Sequence, residues 1–123
     1  MKALVIDDEA DMRQLIAAIL QQAGYEVRQA ADGRLGFIEF EAFQPDLVIT
    51  DIIMPNEEGI GTIRRIHSAR PEVTIIAVSG GSRTGAVDYL RMAKQFGARA
   101  ILAKPFRKQE LLDLVQSLRR ENG

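Results

Sequence analysis

Along this 123-residue chain, short apolar runs alternate with longer stretches whose apolar residues recur at helical spacing. The pattern predicts strands over 2–6, 25–29, 47–50, 73–78 and 100–103, and helices over 10–23, 34–43, 59–69, 84–96 and 107–120. Gly24 and Gly97 close the first and fourth helices, while Pro45 and Pro71 follow the second and third. In the first helix Met12, Leu15, Ile16 and Ile19 share one face; in the last, Leu111, Leu114, Val115 and Leu118 form the inner stripe. Five β-then-α units in succession argue for an α/β fold, a parallel sheet with helices on both faces. Leu4-Val5-Ile6, Leu47-Val48-Ile49 and Ile75-Ile76-Ala77-Val78 are continuously apolar, as strands covered on both faces should be. Tyr25-Glu26-Val27-Arg28-Gln29 alternates and belongs at an edge. These features favour a doubly wound five-stranded sheet of order 2-1-3-4-5.

In such sheets ligands bind beyond the carboxyl ends of the strands, where the strand order reverses. Asp7, Asp8 and Glu9 follow the first strand, Asp51 the third, Ser79 the fourth and Lys104-Pro105 the fifth. Three carboxylates gathered there would repel one another unless a cation neutralised them. Oxygen donors without His or Cys suit a hard ion such as Mg²⁺. A carboxylate can also attack phosphorus, given a cation and donors for the phosphoryl oxygens. Lys104 offers a positive charge and Ser79 a hydroxyl. Taken singly, each residue has a plainer reading: solvated acids or helix caps, a turn serine, a surface lysine.

Composition narrows the field. With 46% hydrophobic and 27% charged residues the chain reads as one ordinary globular domain. A net charge of −1 gives no global attraction to nucleic acid or anionic lipid. There is no cysteine, hence neither a disulfide framework nor a thiolate metal site, and no apolar run long enough to span a membrane. A cytoplasmic location is the expectation. His67 stands alone, without a second ligand at metal spacing, and reads as solvated; Arg119-Arg120 reads as complementing a helix dipole.

Val5-Ile6-Asp7-Asp8-Glu9, Asp46-Leu47-Val48-Ile49-Thr50-Asp51-Ile52-Ile53-Met54-Pro55 with Gly59, Val78-Ser79, Phe96-Gly97-Ala98 and Lys104-Pro105-Phe106 occur in this order. The set resembles the response-regulator receiver domains of two-component signalling, in the stand-alone, CheY-like layout. That resemblance spans residues 1–123 as a single receiver domain with no output domain. It implies that Asp51 is the phosphoacceptor and that Mg²⁺ is the cofactor. Asp8 would bind the ion directly, Asp7 directly or through water, Asp51 as a further ligand, and the Ile53 carbonyl as another. Ser79 would bond a phosphoryl oxygen, Lys104 would pair with the phosphoryl group, and the Lys104-Pro105 bond would be cis. The implied partners are a histidine kinase or histidine phosphotransfer protein as donor, and a downstream target for the altered surface.

Two features depart from the family pattern. Ile101 stands where receivers usually carry an aromatic switch residue, and Gly80-Gly81-Ser82-Arg83-Thr84-Gly85 reads as a flexible glycine-rich loop rather than a phosphate loop. On the 84–96 helix, Tyr89, Met92 and Phe96 widen the apolar face beyond the stripe of Ala86, Leu90, Ala93 and Gly97. The excess fits either a dimer or partner surface or ordinary core packing. Two other functional classes use similar residues: an aspartyl-phosphate hydrolase and a passive binding module of the same fold. The hydrolase is disfavoured because Asp51 is followed by Ile52-Ile53 instead of the Asp-x-Asp of haloacid-dehalogenase-like phosphatases.

Overall fold

The computed structural model describes residues 1–52, 59–80 and 86–122, without the side chains of 80, 86–90, 121 and 122. Ile53, whose carbonyl was expected at the site, and the 81–85 part of the glycine-rich segment lie outside the described residues. Five strands and five helices alternate: β1 Lys2–Ile6, α1 Ala10–Gln22, β2 Glu26–Ala30, α2 Gly33–Phe43, β3 Leu47–Asp51, α3 Gly59–Ala69, β4 Thr74–Gly80, α4 Ala86–Phe96, β5 Ala100–Lys104 and α5 Lys108–Asn122. All strand pairs are parallel, in the order β2-β1-β3-β4-β5. The sheet is the doubly wound, flavodoxin- and CheY-like arrangement the periodicity pointed to.

Because successive strand residues face opposite ways, the central strands feed two cores. Leu4, Ile6, Val48, Ile75 and Ala77 pack under α2, α3 and α4 with Phe40, Ile63, Ile66 and Ala93. Ala3, Val5, Leu47, Ile49, Ile76 and Val78 pack under α1 and α5 with Ile16, Leu20, Leu111, Val115 and Leu118. β3 is buried throughout, whereas β2 exposes most of its residues, as an edge strand does. Both cores hold the carboxyl ends of β1 and β3 level, with Ile6 opposite Thr50.

Several side chains depart from the helical reading. Leu15 is 52% exposed and the α1 core positions are Ile16, Ala17, Ile19 and Leu20, so the buried stripe lies one position farther along than the apolar count suggested. Phe96 is partly buried against the core, with the Arg64 guanidinium over its ring, and so does not extend an outward surface. Met92 on the same helix is exposed, and the Tyr89 side chain is outside the described set. His67 is partly exposed rather than fully solvated: its Nδ1 is buried, and a Cβ at Gly97 (φ 134°) would press into its ring. Arg119 extends over the Tyr25 ring, 5.6 Å from its centroid.

Candidate functional site

The reversal in strand order falls between β1 and β3, and there the chain places Asp7 just past β1 and Asp51 as the last residue of β3. Asp7, Asp8 and Asp51 each present a carboxylate oxygen, and these oxygens lie within 4.8 Å of one another. Asp7 and Asp51 are buried and Asp8 is exposed, so the cluster opens to solvent on the Asp8 side. β4 runs two residues beyond the expected end, so Ser79 lies inside the strand, fully buried. Its Oγ has no hydrogen-bond partner among the described residues. A buried hydroxyl without a partner is costly in a finished core and ordinary where a ligand oxygen completes it.

Lys104, the last residue of β5, reaches across the rim. Its Nζ donates to Asp7 Oδ2 at 3.1 Å and to Asp51 Oδ2 at 3.2 Å, with Glu9 Oε1 at 4.0 Å. Burial alone would lower the Lys104 pKa. Attraction from Asp51 and then Asp7, with hydrogen bonds to both, outweighs that and raises it above the ordinary lysine value. The peptide bond to Pro105 is cis.

Asp7 is held at four points. Its N–H donates to Ala30 O (3.1 Å), and its carbonyl accepts from Arg13 Nη1 (2.9 Å). Its Oδ1 accepts the Glu9 N–H (2.9 Å), and Lys104 occupies Oδ2. Thr50 Oγ1 donates to the Asp51 carbonyl at 3.0 Å, and the Ile52 N–H bonds Val78 O. Thus Asp7, Asp8, Asp51 and Lys104 meet on one rim, and Ser79 lies next to last in neighbouring β4. Arg13 and Thr50 were not anticipated. For Arg13 a signal existed: it sits in the first turn of the helix that follows the acids, four residues after Glu9, where a long cation can fold back over the strand end.

The three carboxylates form an all-oxygen donor set compatible with a metal ion. Residues 3–116 match the family model described as response regulator receiver domain. Chemotaxis protein CheY of Thermotoga maritima is 30% identical over 119 residues, covering 95% of this chain and 96% of that protein. The transcriptional regulatory protein PdtaR of Mycobacterium tuberculosis is 34% identical over 116 residues, 94% of this chain but only 55% of that protein. Among solved structures, a CheY-like receiver domain protein from Methanospirillum hungatei superposes with a TM-score of 0.91 at 27% identity, covering 98% of this chain and 94% of that one. Fold, acidic rim and family match agree: the chain belongs to the CheY-like response-regulator receiver domains of two-component signalling, phosphoacceptors that catalyse their own phosphorylation and dephosphorylation rather than turnover of a separate substrate.

Proposed function

We propose that Asp51 is the residue that receives the phosphoryl group, from a phosphohistidine on a histidine kinase or phosphotransfer protein. The carrying observation is the convergence of Asp7, Asp8, Asp51 and Lys104 from the ends of β1, β3 and β5 on one rim; the partnerless Ser79 hydroxyl near the end of β4 supports it. One Asp51 carboxylate oxygen forms the new bond to phosphorus. The phosphorus–nitrogen bond of the donor breaks, and its electron pair stays on the imidazole. Asp7, Asp8 and Asp51 would hold Mg²⁺, which when bound offsets negative charge on the phosphoryl oxygens. Lys104, already on Asp51, exchanges that contact for a phosphoryl oxygen. Ser79 donates its hydroxyl to another and so gains the partner it lacks. The new set of contacts at the ends of β4 and β5 changes the adjoining surface, to which a downstream target binds.

Incubation with a small acyl phosphate and Mg²⁺, followed by intact-mass measurement, tests this. The expected result is a lasting gain of one phosphoryl group that is absent without Mg²⁺ and absent in Asp51→Asn. Continuous release of free phosphate would instead indicate a hydrolase, and an unchanged mass would indicate a passive module of this fold.

A further inference from the structure

Asp8 differs from its neighbours in how it is placed. Its carboxylate is exposed, and no side chain among the described residues holds it. Only the backbone on either side can set its direction: the first helical bond of α1 holds the Glu9 side, and the Arg13 side chain grips the Asp7 side. The Arg13 Nη1 donates to the carbonyl of Asp7 at 2.9 Å, and the Arg13 backbone N–H donates to the carbonyl of Glu9 at 2.9 Å. The Glu9 N–H is in turn tied to Asp7 Oδ1. The guanidinium is itself anchored, its Nε donating to Gln29 Oε1 on β2 at 3.2 Å. The Asp7–Asp8 peptide is therefore clamped between α1 and the edge strand.

We infer that Arg13 is a positioning residue for the divalent-cation site: by fixing the Asp7 carbonyl it aims the Asp8 carboxylate toward Asp7 and Asp51. The inference rests on the metal-site reading above and adds a role that acts through the backbone rather than through contact with the ion. Its consequence has a distinctive sign. On charge alone, removing a guanidinium from beside a cation site relieves repulsion and tightens binding of the ion. Removing an outer-shell clamp weakens it, commonly by tenfold or more. Lysine keeps the charge but has a single ammonium in place of the planar fork, and cannot span both the Asp7 carbonyl and Gln29.

The experiment is titration of the unphosphorylated full chain with MgCl₂, followed through backbone amide chemical shifts, so that no phosphoryl transfer enters the readout. Arg13→Gln should bind Mg²⁺ about tenfold more weakly than wild type, and Arg13→Lys about threefold more weakly. Equal or tighter binding in Arg13→Gln overturns the inference while leaving the metal site standing. Should Arg13→Gln fail to fold, Arg13→Lys decides alone, and wild-type affinity there overturns it. Absence of any Mg²⁺-dependent shift in wild type overturns the metal site and this inference together.

Discussion

Lys104 shares its ammonium between two carboxylates that are themselves nearly or wholly out of solvent, Asp7 at 1% and Asp51 at 11% side-chain exposure. A buried acid is tolerable only while its charge is answered. Lys104→Met should therefore cost about 3 kcal/mol in the presence of a chelator, measured by urea denaturation. Added Mg²⁺ should recover more stability in this variant than in wild type, because the ion then takes over neutralisation that the lysine had performed. An equal Mg²⁺ effect in both proteins would argue that lysine and ion do not share the same acids. That Asp7, Asp8, Asp51 and Lys104 meet at one rim was legible in the sequence, because each follows an apolar strand whose place in the sheet the periodicity sets. Arg13 was less so: its place four residues after Glu9 is a signal, but a weak one, since an arginine in a first helical turn looks like any surface cation until the carbonyl it holds is known.

Helices α2 and α3 show how an element is held against the rim. Asp32 caps α2 by accepting the Leu35 N–H at 2.8 Å, which fits its place just ahead of Gly33. α3 begins at Gly59, whose N–H bonds Ile52 O at 3.0 Å. A Cβ there would run into the Asp51 carbonyl oxygen and the Ile52 backbone. Since backbone cannot swing aside as a side-chain tip can, Gly59→Ala should destabilise by roughly 2 kcal/mol, seen as a lowered denaturation midpoint. It should also reduce acyl-phosphate labelling, because the segment displaced carries Asp51. Element types and order were readable from periodicity alone. Ends were less so: β4 was expected to stop at Val78 but continues through Ser79 to Gly80, paired with Ala103 and Lys104. Strand length here is decided by a neighbour's hydrogen bonds, which no local propensity encodes.

Viewed as a whole, the molecule brings Asp7, Asp8 and Asp51 together at the carboxyl end of the sheet. At the amino end lies a cavity of about 490 Å³ lined by Tyr25, Asp46, Arg70, Val73, Leu118 and Arg119, among others. Tyr25 titrates above the ordinary tyrosine value because burial disfavours the phenolate; Arg119 opposes that and Asp46 adds to it. A raised folded-state pKa means that the unfolded chain releases this proton first. The associated stability is complete below about pH 10 and is lost as pH climbs through the higher folded value. Urea denaturation at pH 9 and pH 11 should show wild type losing more stability than Tyr25→Phe, and parallel losses would remove Tyr25 from the account. Among the described residues no helix is long and apolar enough to cross a membrane. The sequence by itself determined the alternation of strands and helices, the buried and edge strands, and the identity of the acids, serine and lysine, because periodicity and residue chemistry are local properties. Tertiary structure alone decided that Leu15 faces solvent, that His67 packs against Gly97, and that the Arg13 guanidinium bridges the Asp7 carbonyl and Gln29. Those outcomes depend on which backbone atoms from distant segments arrive within bonding or contact distance, and that is settled only when the layers close.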